Sequence, residues 1–185
     1  MSPVVLRLVL ATVAVAILGI AAAIVLFPIR SSVGGPSGIA FWVVIALLAS
    51  ALPVQLPRGT VVSVGAAPIL AAAILGGPLA GAIVGAVGTI DSREVRGQIP
   101  WYGTLFNHAL LAITGVVAGI VFELTTSALS GVPEPRPNVG SFIGAIAAGL
   151  AFVAVNSILA LLAVSARTGS PIRTVWASSR NGTRL

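Results

Sequence analysis

Long apolar stretches separated by short polar segments run through the whole chain. The first covers residues 8–29 and is flanked by Arg7 and Arg30. A helix rises about 1.5 Å per residue, so about 20 apolar residues cross a hydrocarbon core of about 30 Å. The stretch exceeds the apolar core of a signal peptide, about 7–15 residues, and lacks a convincing cleavage site. The pattern therefore predicts a retained first membrane-spanning helix.

Glycine, proline and charge divide the remaining apolar sequence into further segments. Residues 59–90 carry no charge, but Gly76, Gly77 and Pro78 favour a turn in their middle over a continuing helix. Each half would reach only about 18–24 Å at helical rise, so the two halves form a thin hairpin or a re-entrant pair. The predicted spans are six: residues 8–29, 39–56, 60–75, 79–90, 101–122 and 141–166.

Arginine placement orients these spans, because segments rich in Arg and Lys stay on the cytoplasmic side of a membrane. With six spans and a cytoplasmic N-terminus, eight of the ten arginines lie inside, and Arg30 and Arg136 lie outside. A single crossing by residues 59–90 gives a weaker bias of seven to three. Both arrangements keep the C-terminus inside. We therefore predict two cytoplasmic termini, with residues 1–176 as the bundle and residues 177–185 as a polar tail.

Composition supports a chain that is solvated mainly by lipid. Hydrophobic residues make up 57% of the 185 positions, charged residues 8%, and the mean hydropathy is +1.11. About a quarter of the residues of a soluble domain are charged. The absence of Lys and the richness in Ala, Val and Gly suggest a bacterial source. The sequence thus predicts an all-α polytopic bundle in a bacterial plasma membrane, with no folded domain outside it.

The same features limit the partners of the chain. A net charge of +6 does not indicate nucleic acid, because the arginines lie at helix ends and in the tail and form no patch. The absence of cysteine excludes disulfides, thiolate chemistry and Cys-type metal sites. We expect a lipid bilayer, a small-molecule ligand and a cytoplasmic or membrane partner protein, and no nucleic acid.

Small residues at four-residue spacing indicate close helix packing, since helices in lipid associate through packing and hydrogen bonds more than through hydrophobic burial. Packing within the chain is the simpler interpretation, and a homodimer is the alternative. The ladders are three: Gly77, Gly81 and Gly85; Gly115 and Gly119; Gly140, Gly144 and Ala148.

No enzyme motif is visible. The sequence has no Gly-rich phosphate loop with Lys, no HExxH, no carboxylate pair within one apolar span and no nucleophile elbow. We therefore predict no catalytic residue, no metal site and no cofactor.

Two carboxamides, Asn107 and Asn156, lie well inside the fifth and sixth spans. A carboxamide in hydrocarbon is costly unless its donors and acceptors find partners. If the two spans are antiparallel neighbours, Asn107 lies near the cytoplasmic end and Asn156 about mid-depth or slightly below, so both can line one pocket. Alternatively both are clamps between helices, and the sequence favours neither interpretation.

Three further side chains are candidate ligand-binding residues. His108 follows Asn107; it either bonds to a neighbouring helix, which is the commoner role, or contacts a ligand or acts as a pH-sensitive switch. Thr114 lies seven residues after Asn107, on roughly the same helix face, although hydroxyls in membrane helices often bond their own backbone. Glu123 ends the fifth span on the outer side, as a boundary residue or at a pocket mouth.

Several short motifs resemble a known module: residues 56–63 (LPRGTVVS), residues 105–107 (LFN), Asn156-Ser157, and Gly169-Ser170-Pro171 with Trp176. The chain resembles, over roughly residues 55–176, the multi-helix membrane sensor domain found ahead of HD-GYP or GGDEF domains in bacterial cyclic-di-GMP signalling proteins. The resemblance implies that Asn107 and Asn156 line a sensing pocket and that residues 167–176 transmit the signal. Residues 177–185 carry no output motif, so output would come from a separate partner, or the chain is a fragment or a stand-alone relative.

Two other classes of function stay open. Six short helices with a glycine-rich hairpin also resemble the substrate-binding subunit of energy-coupling-factor vitamin transporters. That resemblance implies a bound small solute and partner subunits that hydrolyse ATP. The third class is a membrane scaffold with no ligand.

Overall fold

The computed structural model describes residues 2–52, 54–55, 61–62, 64–90, 92–130 and 138–181, and these are almost entirely helical. Two short strands, β1 (Val54–Gln55) and β2 (Val61–Val62), pair antiparallel, with Val54 opposite Val62. A 3-10 turn covers Ser31–Val33. The helices in the described part are α1 (Pro3–Leu26), α2 (Gly35–Ala51), α3 (Ala66–Gly76), α4 (Pro78–Val87), α5 (Ser92–Val95), α6 (Trp101–Ser130), α7 (Val139–Thr168) and α8 (Ile172–Asn181).

Three helices, α1, α6 and α7, are long and apolar enough to cross a membrane. At about 1.5 Å per residue they measure about 36–45 Å, more than a hydrocarbon core of about 30 Å. Side chains define where two of them begin, because the first backbone N–H groups of a helix need acceptors. The Ser2 hydroxyl accepts from the N–H of Val5 at 3.3 Å, and the Asn138 side chain accepts from the N–H of Ser141 at 2.7 Å.

Each of the six predicted apolar segments contains a helix, but the boundaries differ. α1 ends at Leu26 rather than residue 29, and α2 ends at Ala51 rather than residue 56. In both places a proline follows two residues later, and the residue before a proline is disfavoured in the α-helical region. Gln55, predicted in the second helix, lies in β1, where β-branched valines favour extended backbone.

The other differences fall at the ends of the later segments. α3 begins at Ala66, whereas residue 60, its predicted start, lies outside the described residues. α6 continues past its predicted end at residue 122 to Ser130, and α7 is longer than predicted at both ends. The predicted boundary between bundle and polar tail falls inside α8, which begins at Ile172.

α3 and α4 form a tight antiparallel hairpin around Gly77. This residue has φ 85° and ψ −176°, a backbone conformation that a Cβ atom disfavours. A Cβ built on Gly81 would lie 2.6 Å from the Cβ of Ala73, so the two arms touch through small residues. The predicted turn at Gly76-Gly77-Pro78 is confirmed. Each arm is about 15–17 Å long.

Glycines also hold the hairpin against α6. A Cβ built on Gly81 would lie 2.8 Å from the carbonyl oxygen of Gly115, and one built on Gly119 would lie 2.6 Å from the Cα of Pro78. α7 approaches α6 in the same way, because a Cβ on Gly144 would lie 2.6 Å from the Thr126 hydroxyl oxygen. Intrachain packing is therefore confirmed for these ladder residues.

Contacts along the long helices define two ends of the bundle. At the end here called basal, α1 and α6 begin and α7 ends, and Val9 packs against Phe106 and Leu110. At the opposite, apical end, the Arg30 N–H donates to the carbonyl of Gly76 at the hairpin turn, at 3.3 Å. The short arms of the hairpin start from this apical turn and reach only part of the way along α6. Thr89 and α5 lie near the open end of the hairpin.

Candidate functional site

A polar cavity of about 440 Å³ lies beyond the open end of the hairpin, in the basal half of the bundle. Its walls come from the end of α2, the start of α3, the segment after α4, the first turns of α6 and the middle of α7. The volume lies within the range of about 300–1,000 Å³ that is usual for small-molecule sites. The polar residues that line it are Ser50, Thr89, Arg93, Glu94, Asn107 and Asn156.

Asn107 and Asn156 meet at this cavity from α6 and α7, as the pocket interpretation predicted. Neither carboxamide forms a hydrogen bond with any residue that the structure describes. The clamp interpretation requires such bonds across the helix interface, and none forms with the described residues. Each carboxamide offers two donors and one acceptor oxygen to the cavity.

His108, the residue after Asn107, joins two elements. Its Nδ1 lies 2.6 Å from the carbonyl oxygen of Ala86 in α4, and its Nε2 lies 3.2 Å from Oε2 of Glu94 in α5. The Glu94 side chain is 6% exposed and that of His108 is 21% exposed. The predicted bond from His108 to a neighbouring helix is confirmed. The contact with Glu94 was not predicted from the sequence.

Hydrogen-bonding chemistry fixes the role of one ring nitrogen of His108. A carbonyl oxygen only accepts, so Nδ1 donates to Ala86. Nε2 faces the carboxyl group of Glu94.

Hydroxyls complete the polar lining. Ser50 is 8% exposed, and its oxygen is buried without a hydrogen-bond partner among the described residues. A buried polar atom in that condition costs free energy unless a ligand or water satisfies it. Thr89 instead donates to the carbonyl of Gly85 at 3.1 Å. The cavity therefore combines an unsatisfied hydroxyl, two carboxamides and charged groups of both signs.

Thr114 does not line this cavity. Its side chain is fully buried, and its hydroxyl donates to the carbonyl of Leu110 in its own helix at 2.7 Å. Thr114 lies seven residues after Asn107, at a position where the α3–α4 hairpin packs against α6. The side chain of Thr114 therefore has no exposed surface with which to contact a ligand.

Glu123 lies at the opposite, apical end of the bundle and forms an ion pair with Arg30. Its Oε1 lies 2.5 Å from Nη2 of Arg30, and Nη1 of the same arginine donates to the carbonyl of Ile74 at 3.1 Å. The Arg30 guanidinium also sits 5.8 Å from the ring centre of Phe122. This ion pair joins the segment after α1 to α3 and α6, and it forms no part of the cavity.

Sequence reasoning missed Glu94 and Ser50. Glu94 was part of a charged loop after the fourth span, and Ser50 was one of many hydroxyls in apolar sequence. Glu94 precedes His108 by 14 residues and lies in a different helix, so no periodicity within one element relates the two. The available signal was that a carboxylate stood close in sequence to the single histidine.

The described residues contain no group of three or more His, Cys, Asp or Glu side chains that could hold a metal ion. The cavity presents both hydrogen-bond donors and hydrogen-bond acceptors. Comparisons with protein-family models, with curated proteins and with solved structures find no match to this chain.

Proposed function

We propose that this chain is a multi-pass membrane protein that binds a small polar molecule in the basal cavity and passes the bound state to a partner. The observation that carries the proposal is the pair of unsatisfied carboxamides, Asn107 and Asn156, which face one cavity from two helices. A neutral or zwitterionic molecule would complement them, because the lining holds both a guanidinium and a carboxylate. No catalytic step is part of the proposal.

Six crossings are the arrangement we propose. α1, α6 and α7 supply three, α2 supplies a fourth, and the arms of the α3–α4 hairpin supply two short ones. The arginine bias places the basal end in the cytoplasm of a bacterial plasma membrane. The cavity then faces the cytoplasmic half of the bilayer.

The continuous helical connection between the cavity and the C-terminal helix α8 favours a sensor over a transporter. α7 carries Asn156 at the cavity wall and continues without interruption to Thr168, where a short turn leads into α8. α8 exposes Ile172 and Trp176, which offer apolar contacts to a cytoplasmic partner. This arrangement agrees with what the resemblance to the cyclic-di-GMP sensor module implies. The alternative is the solute-binding subunit of an energy-coupling-factor type transporter.

The test compares Asn156→Leu with Ser157→Ala, a neighbouring change outside the cavity lining. Native mass spectrometry of the purified full chain in mild detergent would detect a small polar molecule retained at one per chain. We expect Asn156→Leu to abolish retention while the unfolding free energy stays within about 0.5 kcal/mol, since no hydrogen bond is lost. Ser157→Ala should leave both unchanged.

A clear loss of stability in Asn156→Leu without any change in the retained molecule would contradict the proposal and restore the clamp interpretation. The absence of a retained molecule from the unmodified chain would favour a scaffold. Co-purification of an ATPase would favour the transporter class, and co-purification of a cyclic-di-GMP enzyme would favour the sensor.

A further inference from the structure

A second cavity, here called the basal groove, lies between the basal ends of α1, α6 and α7. It has a volume of about 380 Å³ and an apolar floor. α1, α6 and α7 each contribute to that floor, which contains Val5, Val9, Phe106, Leu110, Ala160 and Ala163. A soluble anion or sugar would gain nothing from such a floor, whereas an acyl chain would replace water or disordered lipid along its whole length.

The rim of the basal groove is basic. Arg167, in the last turn of α7, and Arg93 are both exposed and line the groove, which Gln98 and Tyr102 line as well. Arg167 forms no ion pair with any residue in the described part of the chain. Glu94, which follows Arg93 in sequence, has a buried side chain that is paired with His108.

The basic rim and apolar floor together define the chemistry of the occupant. A guanidinium binds phosphate oxygens through two parallel N–H donors, and basic pockets between membrane helices on the cytoplasmic side bind acidic headgroups. An acyl chain beneath that headgroup would run along α1 and α7 toward the middle of the bilayer. Tyr102 lies where aromatic side chains favour the headgroup level.

We infer that the basal groove binds one anionic phospholipid, with its phosphate at Arg167 and Arg93 and an acyl chain against Val9, Phe106 and Ala163. This inference rests on the proposed membrane crossing of α1, α6 and α7, but not on the solute proposed for the polar cavity. The two sites are adjacent, because Arg93, Asn107, Leu110 and Ala160 line both.

The test titrates phosphatidylglycerol or phosphatidylcholine into the delipidated full chain in mild detergent and counts bound lipid by native mass spectrometry. We expect one phosphatidylglycerol per chain at concentrations where phosphatidylcholine does not bind. Arg167→Gln should raise the half-saturating concentration about fivefold, the usual effect of one arginine near an acidic headgroup. Arg173→Gln, an exposed arginine on α8 outside the groove, is the matched control and should have little effect.

A second pair of variants tests the acyl chain. Ala163→Phe fills the floor of the groove and should abolish the bound lipid, whereas Ala154→Phe, at an exposed position on the same helix, should retain it. Arg167 is exposed, so the arginine pair decides the question even if Ala163→Phe unfolds. Equal binding of the two lipids, equal effects of the two arginine variants, or lipid retained in a folded Ala163→Phe would each overturn the inference.

The same titration separates this inference from the proposed function. Asn156 lines the polar cavity and not the basal groove, so Asn156→Leu should leave phosphatidylglycerol binding unchanged. Loss of the polar ligand with intact lipid binding would therefore concern the cavity alone.

Discussion

The two described charge pairs stand in different surroundings. Arg30 and Glu123 form an ion pair, Nη1 of Arg30 also donates to the carbonyl of Ile74, and both side chains are nearly buried. This pair joins the segment after α1 to α3 and α6. Glu94 instead lines the polar cavity together with Asn107 and Asn156, and His108 bonds to it. The basal pair is therefore the one that meets the candidate site.

The Glu94–His108 contact should be measurable as an energetic coupling. A double-mutant cycle of Glu94→Ala and His108→Ala in detergent-solubilised protein should give a coupling of about 1.5–3 kcal/mol, the value for a hydrogen bond that involves a charged group. The readout is the free energy of unfolding. Both side chains are mostly buried, so solvent screening reduces this value little.

A second cycle, of Arg96→Ala with His108→Ala, serves as the control. Arg96 is exposed and makes no contact with His108 among the interactions described. Its coupling should lie within about 0.5 kcal/mol of zero. If the coupling between Glu94 and His108 were equally close to zero, the contact would have no energetic role.

At the scale of elements, glycine determines how closely the hairpin approaches α6. A Cβ on Gly115 would meet the carbonyl group of Gly81, and a Cβ on Gly85 would meet that of Leu111. Backbone atoms cannot rotate away as a side chain can. The contact between α4 and α6 therefore depends on the absence of side chains at these positions.

Gly115→Ala should accordingly destabilise the bundle by about 1–3 kcal/mol or more, because the new methyl group forces α4 and α6 apart. Thermal unfolding in detergent measures this change. Gly149→Ala is the matched control, since the nearest atom to its added Cβ is Leu70 Cδ2 at an ordinary 3.7 Å. Equal stability of the two variants would contradict the proposed role of close packing.

At the scale of the whole molecule, the six-crossing arrangement predicts that both termini face the same side. The chain has no cysteine, so single-cysteine variants report accessibility without background. Exposed sites exist at both ends: Val4 and Ala177 at the basal end, and Ala128 at the apical end. With six crossings, Val4→Cys and Ala177→Cys should react with a membrane-impermeant maleimide only in inside-out vesicles.

Ala128→Cys should react from outside intact cells and provides the control for reagent access. If residues 59–90 crossed once, Val4→Cys and Ala177→Cys would label from opposite sides. Reaction of Ala177→Cys from outside would contradict the proposed orientation. It would also contradict the proposed cytoplasmic location of the cavity.

Local sequence patterns were sufficient for the lengths of the apolar segments, the turn at Gly77 and the candidate pair Asn107 and Asn156. These depend on properties of neighbouring residues, such as helical rise, glycine backbone freedom and the cost of a carboxamide in hydrocarbon. Helix ends were less predictable, because capping and packing act on them together. α6, for example, continues beyond Glu123 while α7 packs alongside it.

Tertiary structure decided which of the candidate polar groups meet. Glu94 reaches His108 because α5 lies against the first turns of α6. The same packing covers Thr114 and pairs Glu123 with Arg30 at the far end. The sequence by itself determined that this chain has helices suited to lipid and a few buried polar groups, since both follow from local composition. The partners of those groups depend on contacts between distant segments, which only the folded chain defines.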